Sequence, residues 1–147
     1  MKTLKDSIEI NVPPETIWNW LLHFSENYCT WHTSHITAYW KKGEPNQIGS
    51  ILYAEEDIEG DMVKFGSKLT KLVPNKLFEY ETVGTMKFLM PRGTFEIEPS
   101  DNGCLFIATL DFRMGKLLSK IAKKSMNNII KHMQEEVENL KRILESS

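Results

Sequence analysis

SIEINVPPETIWNWL, residues 7–21, changes its hydrophobic period in the middle. Ile8, Ile10 and Val12 alternate with Ser7, Glu9 and Asn11, the pattern of a strand with one face buried. Pro13-Pro14 ends that strand, because proline offers no N–H to a ladder and its fixed φ suits a helix start. A helix is expected from about Glu15, with Ile17, Trp18 and Leu21 or Leu22 on its apolar side. The segment 23–30 reads as a second short helix or an irregular turn.

Downstream, strand-like segments run over about 35–41, 48–58, 62–73, 77–84, 87–98 and 104–112. Between them stand turn residues: Gly43-Glu44-Pro45-Asn46, Glu59-Gly60-Asp61, Pro74-Asn75, Gly84 and Ser100-Asp101-Asn102-Gly103. Such short connections imply an antiparallel meander. Gly115 then opens one long amphipathic helix to about Leu144. The expected fold is α+β: a curved antiparallel sheet of about seven strands wrapped around a long C-terminal helix, with two short helices after the first strand. Residues 1–147 are expected to form a single domain. A curved sheet and one helix do not close perfectly, so a cavity is expected between them.

The composition narrows the partners. A net charge of −2 leaves no basic excess for neutralising phosphates, so no nucleic acid partner is expected. The lysines at 116, 120, 123, 124 and 131 read as a solvated helix face. Cys29 and Cys104 form no metal-binding spacing and read as reduced thiols. The N-terminus MKTLKDSIEI has no apolar core of a signal peptide, and no segment is long enough to span a membrane; a cytoplasmic protein is expected.

The last helix carries the polar feature that matters most. Ile129, Met133, Leu140 and Leu144 form an apolar stripe, continued upstream by Met126, Ala122 and Leu118. Glu136 falls inside it, His132 lies one turn earlier on its flank, and Lys131, Glu135, Glu138 and Arg142 fall on the wet face. A carboxylate on a core-facing stripe is costly unless it is paired or binds a metal. Two histidines, His32 and His35, precede the second strand, and Glu55-Glu56 lie late in the third. Together these supply a two-histidine, two-carboxylate set for a divalent metal. Glu56 shares a strand face with Ile48, Leu52, Ala54 and Ile58, and is the better candidate for pointing inward; Glu55 is its alternate. Alternation groups His35 with Thr37 and Tyr39, favouring His35 as the ligand, with His32 as the alternate. The metal set is thus His35, Glu56, His132 and Glu136, with Glu56 and His32 as candidates for moving protons. Tyr39, Tyr53, Tyr80, Arg92 and Met126 are expected at the cavity wall; the plainer reading of Arg92 is a surface arginine.

The opening IEINVPPETIWNWL, the hairpin LTKLVPNKLFEYE and the closing helix resemble the START-like, SRPBCC helix-grip superfamily. It includes polyketide cyclases, pollen-allergen-like proteins and lipid-transfer domains. That resemblance covers essentially the whole chain and implies a fold that hosts binders and enzymes alike. Within it, the diacetylphloroglucinol hydrolases resemble this chain in a Trp- and His-rich approach to a strand, a strand glutamate and a His-x-x-x-Glu in the last helix. The resemblance implies zinc at His32 or His35, Glu55 or Glu56, His132 and Glu136. Members of that family are longer, with an extra N-terminal region, so their substrate is not carried over. The expected activity is metal-dependent hydrolysis or lysis at a carbonyl group of a small aromatic or polyketide-like compound. The alternatives are a metal-free module for a hydrophobic molecule or lipid, and a partner-binding module.

Overall fold

The computed structural model describes residues 1–113 and 123–146. In chain order the elements are β1 (Lys2–Ile10), α1 (Pro14–Leu22), α2 (Phe24–Trp31), β2 (His35–Lys42), β3 (Ile51–Ile58), β4 (Asp61–Val73), β5 (Leu77–Val83), β6 (Arg92–Ser100), β7 (Gly103–Phe112) and α3 (Lys123–Glu145). All seven strands form one antiparallel sheet in the order β1-β7-β6-β5-β4-β3-β2. The architecture is the helix-grip fold, with α3 packed against the sheet and α2.

The period change at Pro13-Pro14 works as the sequence implies. Pro14 opens α1, which buries Ile17, Trp18, Trp20 and Leu21. The chain breaks at His23 and restarts as α2, whose Phe24, Tyr28 and Trp31 are buried at helical spacing. These rings meet Phe78, Phe95 and Phe106 from the sheet in one aromatic cluster, with Trp20 and Trp31 crossing edge-on at 5.0 Å.

Two connections set the register that the site depends on. Glu59 and Gly60 join β3 to β4 and both have positive φ, which a two-residue hairpin turn of the primed type requires. Across the other edge of β3, Glu56 pairs directly with His35 of β2, so both side chains share a face. The helix is fixed by cross-links at two levels. Trp31 Nε1 donates to the carbonyl of Glu136 at 2.8 Å, and Asn139 Nδ2 donates to the carbonyl of Trp31 at 2.9 Å. Near its end, Lys141 donates to the Glu9 carbonyl, and Glu145 accepts from the Asn11 N–H, each at 2.8 Å.

Several boundaries depart from the sequence reading. The first strand begins at Lys2, because β7 offers it a ladder from Phe112 to Cys104. The expected strand at 48–58 starts only at Ile51; Gly49 has φ +91°, and Ile48 stands 60% exposed before the strand. The expected strand at 87–98 is replaced at its start by a 3-10 turn, Thr85–Phe88, after Gly84 at φ +79°. Its i→i+3 and i→i+4 hydrogen bonds onto Met86 hold Leu89 and Met90 out of the sheet. On α3 the buried stripe is Met126, Met133, Val137, Leu140 and Leu144 together with His132; Ile129 is only half-buried. The expected helix start at Gly115, with Leu118, Ala122, Lys116 and Lys120, lies outside the described residues.

Candidate metal centre

Glu136 projects from α3 toward the sheet, where β2 and β3 present His35 and Glu56 side by side. His132, one turn earlier on α3, completes the group. His35 Nε2 lies 3.0 Å from Glu136 Oε2, 3.3 Å from Glu56 Oε2 and 3.2 Å from His132 Nε2. His132 Nε2 lies 3.3 Å from Glu136 Oε2 and 3.6 Å from Glu56 Oε2. The side chain of His35 is fully buried, while those of Glu56 and Glu136 keep 12% and 17% exposure.

The surroundings orient both imidazoles. His35 Nδ1–H donates to the carbonyl of Tyr28 at 2.7 Å, which leaves Nε2 for the cluster. Its ring stacks on Tyr28 at 3.9 Å and meets the edge of Trp31 at 5.3 Å. His132 is oriented by a chain of three groups. The Ser34 N–H donates to His32 Nδ1 at 3.0 Å, so the His32 proton sits on Nε2, which donates to Glu135 Oε1 at 3.0 Å. The Ser34 hydroxyl also donates to His32 Nδ1, at 2.8 Å, and accepts from His132 Nδ1–H at 3.3 Å. His132 therefore also turns Nε2 to the cluster. Tyr28 Oη donates to Glu56 Oε2 at 2.5 Å and pins that carboxylate.

Four donor atoms of two imidazoles and two carboxylates converge on one point. A tetrahedral first-row ion with bonds of about 2.0–2.1 Å has donor–donor edges of roughly 3.3–3.4 Å. The five separations given above, 3.0 to 3.6 Å, straddle that value. Two carboxylates also balance a divalent charge in a buried site. The donor set, its spacing and its charge fit a divalent metal ion.

Without an ion, protons take over the pairing. Burial alone would lower the His132 pKa, but hydrogen bonds to Glu136 and Glu56 outweigh it and hold it at about 10. Burial alone would raise Glu136, and the hydrogen bonds from His132 and His35 bring it down to about 2. Tyr28, buried against Glu56, is held well above its ordinary value and stays a donor.

Glu56, His132 and Glu136 border a cavity of about 540 Å³ between the sheet and the helices. Its apolar wall includes Phe24, Leu52, Leu69, Phe78, Phe95 and Met133. Tyr80 also lines it.

The remaining sequence-predicted residues lie elsewhere. Tyr39, 50% exposed, and Tyr53 meet as a tilted ring pair with centroids 5.2 Å apart outside the cavity, because β-alternation turns odd positions of β3 away from Leu52 and Ala54. Glu55 follows the same parity, beside Lys64 at 3.9 Å, and does not join the cluster. Arg92 faces out and pairs with Glu79 at 2.7 Å, so the expectation that it reaches the cavity is corrected. Met126 is buried in the core but is not part of the cavity wall. His32 does not line the cavity either; it stands behind Ser34, and Glu135, expected on the wet face, is its partner. Neither Tyr28 nor Ser34 carries a signal in the sequence that marks it as part of a site. Tyr28 reads as an ordinary apolar position of α2, and Ser34 as a loop residue.

Residues 1–145 match the family described as polyketide cyclase/dehydrase and lipid transport. The chain belongs to that family. No curated protein matches the sequence. Among solved structures, the chain is similar to a Thermus thermophilus protein at 11% identity, with a TM-score of 0.80 over 99% of this chain and 98% of that one. The Zhui aromatase/cyclase of a Streptomyces species is similar at 12% identity and a TM-score of 0.75, covering 98% and 93%. A major latex-like protein of Panax ginseng is similar at 10% identity and a TM-score of 0.75, covering 96% and 95%. At such identities these similarities speak for the polyketide-cyclase-like fold alone. No described helix is long and apolar enough to cross a membrane.

Proposed function

We propose that this member of the polyketide cyclase/dehydrase and lipid-transport family is a zinc-dependent hydrolase or lyase. Its substrate is a small aromatic or polyketide-like compound, attacked at a carbonyl group. The observation that carries this reading is the convergence of His35, Glu56, His132 and Glu136 at the edge of an apolar cavity. A divalent ion in such a site lowers the pKa of its water toward neutrality and polarises a carbonyl oxygen.

The chain's own residues supply the rest. His35 and His132 offer Nε2, with their other nitrogens committed to Tyr28 and Ser34. Glu56 and Glu136 offer charge from opposite elements, and each is partly open toward the cavity. Glu56 is the candidate for accepting a proton during the reaction, since Tyr28 fixes one of its oxygens and leaves the other uncommitted. The aromatic wall binds the substrate's apolar body and excludes water from the reacting carbonyl. Two unpaired cysteines support a cytoplasmic setting for this chemistry.

The size and apolar character of the same cavity favour a second reading, a metal-free carrier of a hydrophobic molecule or lipid. Turnover separates the two. Benzoylacetone and aryl esters are incubated with zinc-loaded protein, chelator-treated protein and the Glu136→Gln variant. Hydrolysis of benzoylacetone consumes one water and yields acetophenone and acetate. The hydrolase reading expects product only with the zinc-loaded wild type. Binding without turnover across the panel selects the carrier.

A further inference from the structure

Tyr80 and Ser67 line the cavity, and neither hydroxyl makes a hydrogen bond to another described residue. Neither is sealed away from open space, as the buried Thr82 hydroxyl is. Tyr28, the other phenol in the wall, is already committed to Glu56.

The sheet is built around the Tyr80 ring. Tyr80 on β5 stands directly opposite Gly93 on β6. A Cβ at position 93 would lie 2.3 Å from the Tyr80 hydroxyl and 2.4 Å from the ring carbon that bears it. Gly93 does not have a positive φ, so its backbone conformation is open to any residue. Glycine inside a strand weakens it and marks a close approach. Here the approaching group is the phenol head. Packing alone needs only the ring, which rests 6.0 Å from Phe95, and phenylalanine would satisfy it. Burial first, and then the charges of Glu136 and Glu56, hold the phenol far above its ordinary pKa, so the hydroxyl keeps its proton.

We propose that Tyr80 is the cavity's recognition donor: its hydroxyl donates a hydrogen bond to an acceptor oxygen of a compact aryl ligand seated against the apolar wall. The ligand class is an aryl ketone or oxygenated aromatic, not a plain hydrocarbon or acyl chain. This rests on the cavity being a small-molecule site, and is independent of whether a metal is present.

The test uses two isosteric probes, 2-acetylnaphthalene and 2-isopropenylnaphthalene, which differ by a carbonyl oxygen against a methylene. Binding is measured calorimetrically to wild type, Tyr80→Phe and Gly93→Ala, with metal content and thermal midpoint recorded for each. Wild type is expected to prefer the ketone about tenfold, the worth of one well-placed hydrogen bond. Tyr80→Phe should abolish that preference, with metal content, thermal midpoint and affinity for the hydrocarbon unchanged. Gly93→Ala should abolish it while keeping the hydroxyl, because the ring is displaced. Retained ketone preference in Tyr80→Phe overturns the proposal, as does a wild type that shows no preference or binds neither probe. A metal-free wild type with the preference intact would sink the zinc hydrolase alone.

Discussion

Replacing Glu136 with glutamine keeps the shape of the side chain and removes its charge from the centre of the cluster. Glu136 Oε2 lies 3.0 Å from His35 Nε2 and 3.3 Å from His132 Nε2. Its pKa falls from 4.5 to about 2 in the fold, which corresponds to on the order of 3 kcal/mol. Because the folded value is depressed, that stability is present above about pH 4.5 and is lost as the pH falls through about 2. At pH 7 in chelator, Glu136→Gln should therefore lower the thermal midpoint by about 6–12 °C, at roughly 2–4 °C per kcal/mol for a chain of this size. The zinc arm moves the other way. Free ion at about 100 times its dissociation constant stabilises the wild type by about 2.7 kcal/mol, or roughly 5–10 °C. The variant, lacking one of the two balancing carboxylates, should show almost none of this gain. Paired melts of both proteins, with chelator and with zinc, give all four numbers. An equal zinc-induced gain in wild type and variant would refute the reasoning, because Glu136 would then not contribute to binding.

Three other perturbations probe the surroundings of the cluster. Ser34→Ala removes the acceptor for His132 Nδ1–H and should weaken zinc binding by roughly 10–100-fold, with Ser34→Thr restoring it; competition against a chromogenic chelator reads the difference. Glu55→Gln should leave metal content unchanged and stability within about 0.5 kcal/mol, whereas Glu56→Gln should lose the metal; elemental analysis of the two variants compares the strand faces directly. Zinc must displace the proton that His132 holds up to about 10, so affinity should tighten about tenfold for each pH unit between 6.5 and 8.5, with proton release seen by calorimetry in two buffers; a flat profile would contradict it.

The fold was legible because its signals are local and periodic. The switch at Pro13-Pro14, the turn residues between strands and the stripe through Met133, Leu140 and Leu144 each follow from backbone geometry acting over a few residues. Glu136 was legible for the same reason: a carboxylate inside an apolar stripe breaks a pattern. The choice of Glu56 over Glu55 followed from strand parity with Leu52 and Ala54, whose burial the structure shows. Other features depend on tertiary placement. Tyr28 meets Glu56 only because α2 packs against β2, the strand beside β3, and Ser34 bridges two histidines 100 residues apart in sequence, His32 and His132. Tyr39 and Tyr53 were misplaced because aromatic residues suit both faces of a strand, so hydrophobicity did not separate cavity from surface. Ser67 did carry a readable signal, as a hydroxyl between Phe65 and Leu69 on the inward parity of β4.

The central claim is that His35, Glu56, His132 and Glu136 hold one divalent metal ion, and the metal content of the protein tests it most directly. Elemental analysis of the wild type, purified without chelator, should find close to one transition-metal ion per chain, with zinc foremost, and His132→Ala and Glu136→Ala should lack it. A folded, metal-free wild type that fails to take up zinc on addition would contradict the account.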